Sequence, residues 1–261
     1  MANKLAIITG ASTGIGFELA SIAGREGYDL IVVANEPLID AAARDFEQFG
    51  TQVQSVEADL STIDGVDRVL AAANGRPIDL VCANAGNSKG GAFLDQSVTD
   101  WRHSIDTNVT GTVYLLQKAL QQMVARNSGK ILVTGSIAGY IPGSFNAIYN
   151  ATKAFIDNFT EALRNEIKDV DGVTLTTLMP GPVDTEFFAR ADMLDTPVGK
   201  SEAKADPATV AQDGWDALIA GKGHIVSGIA NKLQVLASGV VPQAVLAQLH
   251  RGMAEPGSDK E

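Results

Sequence analysis

Short apolar runs alternate along the chain with longer segments whose apolar residues recur at helical spacing. The first run, Leu5–Thr9, precedes such a segment, which contains Leu19, Ala20 and Ala23. Apolar runs of this length predict buried strands. We predict seven strands, at positions 5–9, 30–34, 52–57, 80–83, 130–134, 173–179 and 224–227.

This alternation predicts an α/β fold built from βαβ units, with a parallel sheet and right-handed crossovers. The strands are apolar almost throughout, which fits a sheet covered by helices on both faces. The chain of 261 residues shows no linker, so we expect a single domain over 1–253. Residues 254–261 are small or polar and include Gly and Pro, and we expect a disordered tail there.

A glycine turn follows the first predicted strand. It reads Thr-Gly-Ala-Ser-Thr-Gly-Ile-Gly over positions 9–16 and leads into the first predicted helix. Glycines let backbone approach a pyrophosphate, and a helix N-terminus supplies amides and a positive dipole end. A glycine turn can also simply link a strand to a helix, but strand before and helix after is the context of a dinucleotide-binding turn.

Tyr149 and Lys153 stand four residues apart, and Ser136 precedes them by thirteen residues (149 − 136). Residues four apart share one face of a helix. A free phenol has a pKa of about 10, and a nearby cation lowers that pKa. The pair therefore offers proton transfer of the kind that alcohol–carbonyl chemistry needs. Taken alone, the same spacing also fits a solvated helix face.

Seven motifs, in this order, resemble those of the short-chain dehydrogenases/reductases, in their shorter single-domain branch. The resemblance covers roughly positions 4–230. It implies a Rossmann-type doubly wound sheet of seven strands in the order 3-2-1-4-5-6-7. The motifs are Thr-Gly-x-x-x-Gly-x-Gly from Thr9, Asp59-Leu60, Asn84-Ala85-Gly86, Asn108, Ser136, Tyr149-x-x-x-Lys153, and the turn from Pro180 through Gly181 and Val183 to Thr185.

The resemblance implies hydride transfer between a nicotinamide cofactor, NAD or NADP, and a carbonyl or secondary alcohol. It makes Tyr149 the acid/base and Ser136 the group that polarises the substrate oxygen. Lys153 is expected to lower the pKa of Tyr149 and to hold the nicotinamide ribose. Asn108 is expected to organise a water that links Lys153 to solvent.

The same resemblance assigns the cofactor contacts. The phosphate turn comprises Gly10, Ser12, Thr13, Gly14, Ile15 and Gly16. Asp59 and Leu60 flank adenine, and Asn84, Ala85 and Gly86 border the ribose. Pro180, Gly181, Val183 and Thr185 belong to the turn that meets the nicotinamide.

The choice between NAD and NADP depends on the end of the second strand. An acidic residue there holds the ribose 2′-hydroxyl, whereas a basic one accommodates the 2′-phosphate. Ala34 occupies the usual acidic position, and Asn35 and Thr13 occupy positions that are often basic. Glu36 either repels a phosphate or begins the next helix. Because no cation is near in sequence, we favour NAD.

Two segments are expected to shape the substrate end. Positions 185–205 follow the Pro-Gly turn and are predicted to form a lid, with an ordinary surface excursion as the alternative. Positions 232–253 predict a packed helix interrupted near Pro242, in a subunit contact, a pocket wall or a membrane-surface helix. Candidates for an apolar pocket, or equally for the core, are Phe93, Ile137, Tyr140, Ile141, Phe145 and Phe187.

Composition excludes several function classes. The formal net charge of −11 argues against nucleic-acid binding, which needs a basic face. The single cysteine, Cys82, lies in an apolar run, so we expect a reduced core thiol in a cytoplasmic protein. There is no secretory signal pattern, and no run of about 18 apolar residues predicts a membrane span. The three histidines have no metal-ligand spacing with Cys82, so we predict no metal site.

The leading hypothesis is an enzyme acting on a small-molecule carbonyl or alcohol. The alternative from another class is a catalytically silent NAD(P)-binding regulator or scaffold, and a related isomerase or epimerase is an enzymatic rival. Ser136 has no matching His and Asp, so acyl transfer is unsupported. By resemblance, the protein is expected to form a homodimer or homotetramer through the long helices that hold Asn108 and Tyr149.

Overall fold

The computed structural model describes residues 3–258, and within them seven parallel strands form one sheet in the order β3-β2-β1-β4-β5-β6-β7. The predicted strands and their order are confirmed, and no strand end moves by more than one residue. The strands are β1 (Leu5–Thr9), β2 (Asp29–Ala34), β3 (Val53–Glu57), β4 (Leu80–Ala83), β5 (Gly129–Thr134), β6 (Val173–Met179) and β7 (His224–Val226).

The helices in the described chain cover both faces of the sheet, as the apolar strands require. The longest, α6, carries the predicted Tyr–Lys pair, and a π-helical turn, Asp106–Gly111, joins α4 to α5. The helices are α1 (Gly14–Arg25), α2 (Leu38–Phe46), α3 (Ile63–Ala72), α4 (Val98–Ile105), α5 (Thr112–Ala125), α6 (Ala147–Glu166), α7 (Phe187–Arg190), α8 (Pro197–Lys200), α9 (Pro207–Ile219), α10 (Ile229–Ser238) and α11 (Gln243–Ala254).

Alternate residues of each strand enter opposite cores. In β1, Ala6 and Ile8 join an apolar cluster with α1, α2 and α9, whereas Leu5 and Ile7 join a second cluster with α3, α5 and α6. This follows from the two-residue period of a strand. Both faces are buried, so every residue of β1 is apolar except Thr9, whose hydroxyl reaches the C-terminal edge of the sheet.

The sheet opens a crevice where its strand order reverses. β1 pairs with β2 on one side and with β4 on the other. The connection after β1 and the connection after β4 therefore lead to opposite halves of the sheet. Ligands of open α/β sheets bind outside the carboxyl ends of the strands at such a point. The topology therefore places the glycine turn after β1 and the Asn84 turn after β4 at one site.

The C-terminal segment forms two helices, α10 and α11, with the predicted interruption at Pro242. Ala254 is 1% exposed as the last residue of α11. The predicted disordered tail therefore does not include its first position, and its last residues, 259–261, lie outside the described chain. Within residues 3–258, no helix is both long and apolar enough to cross a membrane.

Candidate active site

The turns at the carboxyl ends of the strands enclose a cavity of about 620 Å³. It collects nearly all of the predicted site residues, although they come from positions 10 to 185. Gly16 and Asn108 are the two that do not line it. The predicted residues that line it are Gly10, Ser12, Thr13, Gly14, Ile15, Asn35, Asp59, Leu60, Asn84, Ala85, Gly86, Ser136, Tyr149, Lys153, Pro180, Gly181, Val183 and Thr185.

The glycine turn presents backbone to the cavity. Gly10 and Gly14 have φ of 65° and 59°, a region that favours glycine. A Cβ on Gly14 would lie 2.8 Å from the Thr185 side chain, so the turn after β6 packs directly on the glycine turn. Helix α1 begins here, and Thr13 gives it no side-chain cap. Its first amides are therefore oriented to receive an anion.

Gly16 has a packing role rather than a place at the cavity wall. A Cβ there would lie 2.0 Å from the carbonyl oxygen of Gly10. Glycine is required at this position because helix α1 crosses its own entry turn so closely. Gly16, predicted as part of the phosphate turn, therefore lets that turn fold against the start of helix α1.

Asn84 joins the ends of three strands. Its Nδ2 donates to the carbonyl oxygen of Thr9 at 3.2 Å, and its Oδ1 accepts from the Thr134 hydroxyl at 2.9 Å. The Asn84 backbone N–H also donates to the Thr9 hydroxyl at 2.9 Å. The side chain predicted to border the ribose therefore holds β1, β4 and β5 together beneath the cavity.

One face of α6 carries Tyr149, Lys153 and Asp157, spaced four residues apart. The Lys153 ammonium is buried and donates to the carbonyl oxygen of Thr134 at 2.7 Å. Its Nζ lies 5.7 Å from the centre of the Tyr149 ring. The helix thus places the phenol and the ammonium side by side in the cavity.

Burial dominates the ionisation of Tyr149. It raises the pKa of Tyr149 to about 12, and a hydrogen bond with the Ser136 side chain opposes this rise. The net shift is upward, because a phenolate loses more solvation here than its neighbours restore. The Tyr149 phenol is therefore protonated at neutral pH.

Ser136 is held in place by backbone contacts. Its Oγ accepts from the Ala138 N–H at 3.1 Å and donates to the carbonyl oxygen of Pro180 at 3.3 Å. These contacts fix the hydroxyl between the turns that follow β5 and β6. It thus faces the Tyr149 hydroxyl from a rigid position.

Asp157 is a buried carboxyl that the sequence reasoning missed. Neither of its oxygens has a hydrogen-bond partner among the described residues. A Cβ on Gly135 would lie 1.8 Å from one oxygen, and a Cβ on Gly139 2.6 Å from the other. Burial raises the pKa of Asp157 to about 7, opposed by the charge of Lys153.

Lys153 and Asp157 influence each other's ionisation. Burial lowers the pKa of Lys153 to about 8, and the negative charge of Asp157 opposes that fall. Each group therefore favours the charged form of the other. In the sequence, Asp157 could have been found from its position eight residues after Tyr149 and four after Lys153, which places it on the same helix face.

Asn108 lies in the π-helical turn and is buried. Its Oδ1 accepts from the Asn87 N–H at 2.7 Å, and its Nδ2 donates to the carbonyl oxygen of Asn87 and to the Thr152 hydroxyl. A Cβ on Gly86 would meet both Asn108 Oδ1 and Lys153 Nζ at 3.6 Å. Asn108 thus approaches the Lys153 ammonium across Gly86. Single π-turns of this kind often mark functional sites.

The end of the cavity beside β2, where the adenosine part of the cofactor is expected, contains a cation that the sequence reasoning missed. Arg190, the last residue of α7, pairs with Glu36 at 2.9 Å. Glu36 also accepts from the Ser12 hydroxyl at 2.6 Å. Asn35 is exposed beside it, and Asp59 caps its own turn by accepting from the Ser61 N–H at 2.9 Å. The expectation that no cation lies near the end of β2 therefore holds only for neighbours in the sequence, because Arg190 reaches Glu36 in the folded chain.

The end of the cavity beside Tyr149 and Phe187, called the near end, is largely apolar. Of the six proposed pocket residues, Ile137, Ile141 and Phe187 line it, whereas Phe93, Tyr140 and Phe145 do not. The Phe187 ring packs on that of Tyr149, with centroids 5.1 Å apart. Helix α11 closes this end, and its lining residues are His250, Met253 and Ala254.

Comparison with known proteins agrees with the fold and the site. The sequence matches the short chain dehydrogenase family over residues 4–193, which is more than half of its length. It is also 34% identical over 192 residues to an uncharacterized oxidoreductase of Staphylococcus epidermidis, a match that covers 72% of this chain and 82% of that protein. The chain belongs to the short-chain dehydrogenase/reductase family, as its motifs predicted.

Solved structures show the same fold. A short-chain dehydrogenase from Sphingobium yanoikuyae in complex with NADPH aligns with a TM-score of 0.81 at 24% identity, over 92% of this chain and 97% of that one. A short-chain dehydrogenase/reductase from Burkholderia phymatum in complex with NAD aligns with a TM-score of 0.82 at 23% identity, over 90% and 92%. At these identities the likeness concerns the fold.

Proposed function

We propose that this protein is an NAD(P)-dependent oxidoreductase that transfers a hydride between nicotinamide and a carbonyl or secondary alcohol. The observation that carries the proposal is the Ser136–Tyr149 hydroxyl pair, backed by Lys153, in one cavity with an uncapped helix N-terminus and its glycine turn. A cofactor-binding scaffold has no chemical need for that hydroxyl pair. Proton transfer and hydride transfer occur at neighbouring atoms, so the two parts must share a cavity.

The residues present fit a nicotinamide dinucleotide. The amides at the start of α1 suit its pyrophosphate, with Gly10 and Gly14 allowing close approach. Asp59 and Leu60 suit the adenine, and Val183 and Thr185 suit the nicotinamide. The bound cofactor would supply or accept the hydride, and the protein would provide orientation and proton transfer.

During reduction, Tyr149 donates its proton to the carbonyl oxygen while the carbonyl carbon gains the hydride. The Ser136 hydroxyl turns its proton from the Pro180 carbonyl to the same oxygen and stabilises the charge that develops there. Lys153 would hold the nicotinamide ribose and, through Asn108, would be connected to the route by which Tyr149 regains a proton. Segment 185–205 is proposed as the lid, and the contact of Phe187 with the Tyr149 ring supports this proposal.

The substrate class follows from the near end of the cavity. Ile141, Phe187, Met193 and Met253 give it apolar walls. We therefore expect an organic ketone or secondary alcohol with an apolar body. A panel of such compounds, followed by nicotinamide absorbance with both cofactors, identifies the substrate and the preferred cofactor. With Glu36 at the end of β2, we expect NAD to be preferred.

Replacing Tyr149 with Phe tests the assignment. The Tyr149→Phe variant keeps the ring against Phe187 but lacks the proton donor, so turnover should fall by about 10³-fold. Cofactor binding, measured by fluorescence, should remain. Tyr114→Phe is the matched control, because Tyr114 is bonded to Asp67 on the surface.

Near-normal turnover by Tyr149→Phe would show that another group transfers the proton. Full cofactor binding with no turnover of any carbonyl or alcohol, in the unaltered protein, would favour the silent regulator instead. The isomerase or epimerase alternative would be supported by product formation without net change in nicotinamide absorbance.

A further inference from the structure

Two ion pairs join residues 190–192, at the end of α7 and just after it, to opposite sides of the cavity. At one side, Arg190 pairs with Glu36, which follows strand β2. At the other side, Asp192 pairs with Lys89, and the Gly90 N–H donates to the carbonyl oxygen of Ala191 at 2.8 Å. Residues 190–192 therefore form a strap between the adenosine end and the loop after β4.

Glu36 joins the strap to the glycine turn. One of its oxygens, Oε1, accepts from the Ser12 hydroxyl and pairs with Arg190. Among the described residues, both of these contacts are made by Oε1, and the other oxygen, Oε2, can accept from hydroxyl groups of a ligand. The Glu36 and Arg190 side chains are 30% and 47% exposed, so water screens the pair and its own strength is small.

Charge is sparse along the cavity wall. In the described chain, Arg190 and Lys153 are the only arginine or lysine side chains that line it. Lys153 is held against Thr134 beside Tyr149. Arg190 is thus the cation available to the adenosine end, and a guanidinium binds phosphate in a two-pronged fashion.

We propose, on the basis of the proposed function, that Arg190, carried by the lid, selects between the two cofactors. Its ion pair with Glu36 keeps it from binding a phosphate. A cofactor with a free ribose 2′-hydroxyl binds beneath the intact Glu36–Arg190 pair. A 2′-phosphate meets the Glu36 carboxylate, and the guanidinium that would neutralise the phosphate is already engaged. Glu36 therefore disfavours NADP twice, by repulsion and by occupying Arg190.

A double-mutant cycle tests this inference. The proteins are the unaltered chain, Glu36→Gln, Arg190→Gln and the double variant, and the readout is the Kd of NADH and of NADPH by fluorescence. Glu36→Gln should lower the Kd of NADPH by about tenfold or more, because Arg190 is released to the phosphate. Arg190→Gln in that background should abolish most of the gain. The Kd of NADH is the reference in each variant, so the ratio of the NADPH Kd to the NADH Kd should fall in Glu36→Gln and return in the double variant.

The cycle separates Arg190 from simple repulsion by Glu36. An equal gain in Glu36→Gln and in the double variant would overturn the inference, as would no gain in Glu36→Gln. Arg190→Lys in the Glu36→Gln background should retain part of the gain, since the charge remains without the two-pronged geometry. Glu161→Gln is the control, because Glu161 pairs with Arg164 on α6 and does not line the cavity.

Direct binding also distinguishes this inference from the proposed function. Because turnover is not measured, the cycle gives its result even if the substrate is unknown. Failure of the unaltered protein to bind either nucleotide would overturn both. Binding with an additive cycle would overturn the role of Arg190 alone.

Discussion

At the scale of single residues, the site combines groups whose local environments set their chemistry. Tyr149 and Lys153 lie where their spacing predicted, but burial raises the pKa of Tyr149 to about 12 and lowers that of Lys153 to about 8. Asp157 adds a carboxyl with a pKa of about 7 behind them. The residue types were evident from the sequence, whereas the degree of burial that orders their pKa values was not.

The raised pKa of Tyr149 predicts different pH dependences for the two reaction directions. Between about pH 5 and pH 6, below the pKa values of Asp157 and Lys153, Tyr149 is protonated and Lys153 keeps its charge, so kcat/KM for carbonyl reduction should stay nearly constant. Alcohol oxidation needs the phenolate, so its kcat/KM should rise by about tenfold per pH unit. Steady-state rates at saturating cofactor check this. A flat oxidation profile would contradict Tyr149 as the base.

At the scale of elements, the C-terminal helix depends on one buried histidine. His250 in α11 is 8% exposed, and its Nδ1 lies 2.8 Å from the carbonyl oxygen of Ser144. The Ser144 hydroxyl also donates to the carbonyl oxygen of Ala247 at 2.9 Å. These contacts dock α11 beside the near end of the cavity. The apolar density of 232–253 predicted the helices, but their docking partner lies about a hundred residues earlier in the chain.

Acidification should loosen this docking. Burial lowers the pKa of His250, although the Ser144 carbonyl opposes it. The unfolded chain therefore binds a proton at higher pH than the folded chain, so the contribution of His250 to stability is present above the ordinary histidine pKa and is lost as pH falls below it. In His250→Gln, the decrease in melting temperature from about pH 7.5 to about pH 5.5 should be smaller.

His224→Gln provides the control for this effect, because His224 is exposed on β7. Thermal unfolding followed by circular dichroism gives the comparison. An unchanged pH dependence in His250→Gln, equal to that of His224→Gln, would mean that His250 does not couple protonation to the docking of α11.

At the scale of the whole molecule, the sheet brings distant turns to one edge and leaves one side of α6 to solvent. Tyr149, Lys153 and Asp157 face inward, whereas Phe155 is 45% exposed and stacks with Phe159 at 5.6 Å. The resemblance to the family predicts that α6 and the helix segment holding Asn108 pair between subunits. An exposed aromatic on that helix is consistent with a contact of this kind.

Replacing Phe155 with Glu should therefore reduce the assembly. A charge in an apolar contact is costly to bury, so Phe155→Glu should shift the mass in light scattering from dimer or tetramer toward monomer. Leu94→Glu is the control, because Leu94 is 93% exposed away from α6. If both variants keep the mass of the unaltered protein, α6 is not the subunit contact.

The sequence by itself determined the strands and, through its resemblance to the family, their order and most of the residues around the cavity. Apolar runs and helical spacing are local properties, and the motifs stand at strand ends that the topology brings to one edge. Only the tertiary structure decided how these residues act. It made Gly16 a packing residue, placed Arg190 on Glu36 and buried Asp157 behind Lys153. Those outcomes depend on close approach and desolvation between segments distant along the chain, which no local pattern encodes.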